Sequence, residues 1–270
     1  MTRSSRAPVV VMAALVLASC ASSAATDVRP LTGGEALVVA GASDLRPAFE
    51  EIAALYTQQT GTEVVFDFGS SGQLAQRIIE GAPVDVFASA DVGFVDAVLE
   101  SGRGDVDTKA TYALGRITIW SHPDVWGGWE TLRDVVADTE VAVVAIANPE
   151  HAPYGRAAQQ ALESSDLWEE VEPRLVFGEN IADTQRLAAT GNADVAVVAL
   201  SLAIAAGDEG SWAPIDDRLH EPLEQALLVT AEDPDRLAEA AGFIDFVNGT
   251  EGREVMRRYG FLLPGEQPSD

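Results

Sequence analysis

Short apolar runs alternate with stretches of helical periodicity along nearly the whole chain, and this alternation constrains the fold more than any other feature. Residues 36–40 form one such run, suited to a strand buried on both faces. Over residues 44–60, Leu45, Phe49, Ile52, Ala53 and Tyr56 recur at helical spacing and Gly61 closes the segment. Pro47 falls in the first turn of that helix, where its missing N–H is harmless. Further strands are expected over 63–68, 84–88, 116–120, 141–147, 175–177, 194–198 and 225–230. Helices are expected over 73–80, 92–101, 155–165, 183–190, 234–248 and 251–259. Repeated β–α units dictate mostly parallel sheets covered by helices on both faces. About ten strands are many for one tidy sheet, so the expected fold class is α/β with two lobes.

The amino terminus reads as a processing signal. Arg3 and Arg6 precede the apolar run 7–18, which is shorter than the roughly 20 residues a membrane-spanning helix needs. It has the proportions of a secretory signal. Leu17-Ala18-Ser19-Cys20 at its end resembles a bacterial lipobox. The resemblance implies a lipoprotein signal peptide over residues 1–19, with Cys20 lipidated as the first mature residue; the alternative is a plain signal peptide with a chance cysteine. Cys20 is the only cysteine, so no intrachain disulfide forms. The segment 20–35 then reads as a lipidated tether, small and polar over 21–34. The expected location is the outer face of the cell membrane, or the periplasm, with a soluble body.

Charge narrows the partners. The chain holds 43 Asp and Glu against 17 Lys and Arg, a formal charge of -26 that becomes -28 without Arg3 and Arg6. Such a surface repels nucleic acid and anionic lipid, so neither is expected as a partner. Enzymatic signatures are mostly missing. His122, His151 and His220 have no metal-ligand spacing, and no nucleophile elbow, Walker lysine or dinucleotide fingerprint occurs. An exported hydrolase using a serine lacks a paired base. Carboxylate pairs are too common in so acidic a chain to identify a two-acid hydrolase.

Two loops at strand ends carry anion-binding chemistry instead. In Ala40-Gly-Ala-Ser-Asp44, Ser43 is expected to cap the following helix. Phe68-Gly-Ser-Ser-Gly-Gln73 places Ser70 and Ser71 at a second helix start. Open α/β sheets bind ligands at the carboxyl ends of their strands.

Gly81-Ala-Pro-Val-Asp-Val-Phe-Ala-Ser-Ala-Asp91 closely resembles a signature of periplasmic molybdate-binding proteins, the substrate-binding components of ABC importers. Ala40 to Leu45 and Ser70 to Ala75 are similar to the first two loops of that family. Asn148 to Gly155 and Gly178 to Ile181 are similar to its third and fourth, and Arg258-Tyr-Gly-Phe261 to its terminus. The resemblance implies a two-lobed, type II periplasmic-binding-protein architecture with the ligand in the cleft. Its first lobe comprises 36–115 plus about 230–265, and its second 116–229. It implies a receptor, not an enzyme, with no cofactor, that delivers molybdate and tungstate to an ABC permease with a cytoplasmic ATPase. A monomer is the default for such a shuttle.

Carried over residue by residue, Ser43 and Ser71 each offer a hydroxyl and a backbone N–H to the oxyanion, and Tyr154 and Ile181 offer backbone N–H groups. Some family members add a tyrosine hydroxyl where this chain has Ala199, so that donor is absent. No cation-type metal site is implied. Asp44 is expected to point to solvent, and Asp85 and Asp91 to fix a loop and cap a helix. Glu150 and His151 are expected to form a structural turn. The alternatives are the same scaffold specific for sulfate, phosphate or another oxyanion, or a ligand-free surface adaptor. Phosphate is less favoured because its monoprotonated form needs an acceptor in the site.

Overall fold

The computed structural model describes residues 36–266, so the signal peptide, Cys20 and the tether lie outside the described residues. The chain begins with β1 (Leu37–Ala42), α1 (Arg46–Thr60), β2 (Val64–Gly69), α2 (Ser71–Ile79), β3 (Val86–Ser89), α3 (Val92–Glu100) and β4 (Ala110–Gly115). It continues through β5 (Ile117–Ser121), α4 (Leu132–Ala137), β6 (Val144–Ala147), α5 (Pro153–Ser164), α6 (Trp168–Val171) and β7 (Leu175–Gly178). Then come α7 (Ile181–Ala189), β8 (Val195–Ala199), α8 (Leu200–Ala206), β9 (Ser211–Pro214), β10 (Leu223–Val229), α9 (Pro234–Asn248) and α10 (Thr250–Arg258).

The strands form two sheets, ordered β2-β1-β3-β10-β4 and β7-β6-β8-β5-β9. Both follow one plan. Three strands pair in parallel, a fourth (β10 or β5) runs against them, and an edge strand (β4 or β9) pairs antiparallel with the reversed one. The reversed strand arrives from the other lobe in each case: β5 follows β4 across the single residue Arg116, and β10 follows β9. The sheets are therefore mixed, where β–α alternation alone gave mostly parallel pairing. Because β10 pairs with β3 and β4, the chain has returned to the first sheet by Leu223 rather than near residue 230. The second lobe's expected span, 116–229, is corrected to end before β10.

The sequence explains the layering. The central strands β3, β6 and β8 are buried at every position, as their unbroken apolar runs require, whereas the edge strand β2 alternates between exposed and half-buried over Val64–Gly69. On one face of the first sheet, α2 and α3 bury Leu74, Ile78, Val95 and Val98 against Phe87 and Leu228. On the other, Phe49 and Tyr56 of α1 meet Phe243 of α9 edge to face, with ring centroids 6.1 and 5.4 Å apart. Such pairs add about 0.5–1.5 kcal/mol each beyond the area they bury. Gly61 ends α1 in the left-handed region, φ +80°, where its N–H bonds the Thr57 carbonyl.

Five elements were not anticipated: β4, α4, α6, α8 and β9. The apolar run of β8 flows directly into α8, so hydrophobicity alone does not mark where the strand ends. β9 is a short edge strand ending in Pro214, and Thr111 and Tyr112 interrupt the apolar character of β4. The open edge of β4 is covered near the carboxyl terminus, where Leu114 and Leu262 exchange backbone hydrogen bonds.

Candidate functional site

Three helices of eight residues or more begin at one place between the sheets. Ser71 is the first residue of α2, Tyr154 the second of α5 and Ile181 the first of α7. N–H groups in the first turn of a helix have no acceptor within it, and the aligned peptide dipoles make that end positive. All three residues line one small cavity, together with Ser43 and Asp44 at the end of β1 and with Ser70. The four residues expected to bind the oxyanion, Ser43, Ser71, Tyr154 and Ile181, are thus brought together and are all buried.

The two serines are held differently from the expected caps. Ala42, not Ser43, occupies the cap position, and Ser43 opens a 3-10 turn over Ser43–Leu45. The Ser43 hydroxyl oxygen instead accepts the Ala182 N–H of α7 at 3.3 Å, crossing the cleft. The Ser71 oxygen accepts the Ala90 N–H at 3.0 Å. A hydroxyl that accepts through a lone pair keeps its own hydrogen to donate, so both remain donors toward the cavity.

Asp44 departs most from expectation. It does not face solvent: its side chain is fully buried beside Ser43. Oδ2 accepts the Gln225 side-chain amide at 2.7 Å and the Tyr154 hydroxyl at 2.9 Å. Gln225 Oε1 in turn accepts the Tyr112 hydroxyl at 2.7 Å, and the Ser201 hydroxyl donates to the Asp44 carbonyl at 2.8 Å. Burial pushes the Asp44 carboxyl up to about 6, against the smaller lowering effect of its hydrogen bonds. Burial also raises the Tyr112 and Tyr154 phenols well above their ordinary value, so both remain hydroxyl donors. Gly115 makes room for this network, since a Cβ there would collide with the Tyr154 hydroxyl and approach Gln225 Nε2 to 2.9 Å.

A second set of contacts latches the lobes over the cavity. The Ser70 hydroxyl donates to the His151 carbonyl at 2.6 Å and lies 2.9 Å from His151 Nδ1, while the Gly72 N–H reaches the same carbonyl at 3.0 Å. A Cβ at Gly72 would come within 2.7 Å of that oxygen, so glycine permits the close approach. Arg156 of α5 pairs with Asp91 and lies 5.2 Å from the centre of the Phe94 ring. Gln73 donates to Glu179 at 3.1 Å. Asp91 also caps α3 by accepting the Gly93 N–H, the role expected of it, whereas Asp85 accepts the N–H of Val38 within β1. The turn at His151 therefore also closes the cleft. Sequence reading missed Arg156, Gln225 and Ser201, because their partners lie 65 to 181 residues away.

Ala199 is fully buried and precedes α8. No hydroxyl replaces the tyrosine of some family members there, and Ser201 is engaged with the Asp44 main chain. Among the described residues no cluster of His, Cys, Asp or Glu fits a metal ion, and no helix is long and apolar enough to cross a membrane.

Two lobes joined by two crossings of the chain, with facing helix starts around a buried cavity rich in hydrogen-bond donors, define a two-lobed solute receptor. Residues 37–262 match the bacterial extracellular solute-binding proteins, and the chain belongs to that family, one of receptors and not of enzymes. The molybdate-binding protein ModA of Rhodobacter capsulatus is 37% identical over 236 residues, covering 86% of this chain and 90% of that protein. ModA of Azotobacter vinelandii is 32% identical over 227 residues, covering 83% and 89%. The solved periplasmic molybdate-binding protein of Azotobacter vinelandii superposes with a TM-score of 0.78 at 30% identity, covering 84% of this chain and 99% of that one.

Proposed function

We propose that this protein captures molybdate, and tungstate with it, outside the cytoplasm and delivers it to an ABC permease driven by a cytoplasmic ATPase. The observation that carries this reading is the convergence of Ser43, Ser71, Tyr154 and Ile181 on one buried cavity between the lobes. Hydrogen bonds to a charged partner contribute about 1.5–3 kcal/mol each, so several fixed donors offset desolvation of a dianion and the ordering of the closed cleft. The charge of -26 does not oppose capture, because exposed charges beyond about 8 Å are screened at physiological salt and the fixed dipoles of the cavity are not.

Calorimetric titration of the purified protein with molybdate, tungstate, sulfate and phosphate tests the reading. Tight binding of the first two, and not of sulfate, is the expected result. Preference for sulfate or phosphate would keep the receptor and replace its cargo, and silence toward all four would sink the reading.

The receptor works as a monomer tethered through a lipid on Cys20. The support for the tether is the lipobox-like Leu17-Ala18-Ser19-Cys20. Cys20→Ser is expected to move the protein from the membrane fraction of cells to the soluble extracytoplasmic fraction. Retention of that variant in the membrane would remove the anchor.

A further inference from the structure

The cavity holds one acceptor that its donors do not explain. Asp44 Oδ1 is buried without a hydrogen-bond partner among the described residues, on a side chain that lines the cavity with Ser43 and Ser71. Oδ2 already takes both neighbouring donors, from Gln225 and Tyr154. The groups facing this carboxyl are Tyr154 on α5, Gln225 on β10, the backbone N–H of Asp44 itself and, through Gln225, Tyr112 on β4; Ser201 on α8 holds the main chain. No arginine, lysine or histidine is among the groups that act on it. An ionised carboxylate here would meet a dianion at close range in a desolvated site, with no cation between them, and like charges so placed do not both remain ionised.

Resting on the oxyanion-receptor reading, we propose that Asp44 carries a proton on Oδ1 in the occupied site and donates it to the oxyanion, so that capture of a dianion takes up one proton. The balance is simple. One proton from solvent joins the carboxylate, no covalent bond to the ligand forms or breaks, and the occupied site holds two negative charges instead of three. A protonated Asp44 turns the one unmatched acceptor of the cavity into another donor, consistent with the chemistry of Ser43, Ser71 and the helix starts.

The direction of the pH dependence follows. The unliganded carboxyl is half protonated near pH 6, and a neighbouring dianion raises it further. Above that value only a shrinking fraction of the free protein is competent, so apparent affinity weakens about tenfold for each pH unit. Below it the fraction saturates and affinity levels off. The fully deprotonated oxyanion is thereby captured best from mildly acidic surroundings.

The test is molybdate calorimetry near pH 7.5 in two buffers of different ionisation enthalpy, with Kd followed from about pH 6 to 8. Uptake of close to one proton per molybdate, and a Kd that rises about fiftyfold over that range, is expected. Asp44→Asn keeps an acceptor for Gln225 and Tyr154 and places an amide donor where Oδ1 stood. It is expected to take up no proton, to lose the pH dependence, and to bind at pH 8 about a hundredfold tighter than the wild type. Molybdate binding by the wild type without proton uptake overturns the proposal and leaves the receptor reading standing. Tight phosphate binding without uptake overturns it too, because the ligand then brings the proton and Asp44 accepts it. No binding of any oxyanion overturns both.

Discussion

Ile181→Pro is expected to weaken oxyanion binding by about ten- to a hundredfold while the protein still folds. Ile181 is the first residue of α7, the one helical position where proline is favoured because the N–H has no partner in the helix. Asn180 before it is already extended, φ -154° and ψ 177°, as a residue preceding proline must be. The Asn180 side chain caps the Ala182 and Asp183 N–H groups at 3.1 and 3.0 Å, and neither bond involves Ile181. The substitution therefore removes one main-chain donor from the cavity. A hydrogen bond to a charged ligand contributes about 1.5–3 kcal/mol, and each 1.4 kcal/mol is tenfold in Kd. Ile181→Val, which keeps the N–H and trims the side chain, is the control: about 1 kcal/mol of stability is lost and Kd stays within about twofold. Calorimetry with thermal unfolding reads both. Unchanged affinity in the proline variant would take Ile181 out of the site.

Gln225→Leu is expected to have the largest effect on stability, about 3 kcal/mol or more. Gln225 is fully buried and makes three side-chain hydrogen bonds, to Asp44 and Tyr154 through Nε2 and from Tyr112 through Oε1. Leucine fills a similar volume and leaves the Tyr112 hydroxyl unpaired and Asp44 Oδ2 with one donor fewer. Each buried polar group left without its partner costs about 1–3 kcal/mol, more when it is charged. For a chain of this size that lowers Tm by about 6–12 °C.

The pH dependence of that loss identifies its source. The Asp44 carboxyl is raised in the folded protein from 3.8 to about 6, so between those values the folded state holds a proton that the unfolded state has released. Its contribution to stability is complete below the lower value, declines as pH rises through the window, and is gone above the upper one. The Gln225 hydrogen bond lowers that carboxyl, so removing it extends the window upward. The destabilisation by Gln225→Leu should accordingly be smaller near pH 5 than near pH 8. Equal losses at both would mean that the Asp44 contact contributes little and the Tyr112 contact dominates.

How much was legible varies by element. The unbroken apolar runs of β1, β6 and β8 and the periodicity of α1 and α9 stood in the sequence, because burial on both faces or on one stripe leaves that imprint. The serine loops after β1 and β2 were legible as helix starts at strand ends, and the cavity lies where they meet. What Ser43 bonds was not, since Ala182 is 139 residues away. The burial of Asp44 was hidden for the same reason: an acid early in a helix normally faces water, and only Tyr154 and Gln225, 110 and 181 residues on, hold it inside. The pairing of β10 with β3 and β4 likewise left no local trace, because an apolar strand fits the edge or centre of either sheet.

The two crossings of the chain between the lobes, before β5 and before β10, also set an order of assembly. A growing chain appears amino end first, and domains generally fold as their segments emerge. Every strand of the second sheet lies between Ile117 and Pro214, so that sheet has all its members as soon as β9 is out. The first sheet begins earlier yet must wait with β3 and β4 apart until β10 is inserted between them, and its edge is covered only when Leu262 arrives. The half of the molecule made first is thus the half finished last, closing around a partner lobe that is already built.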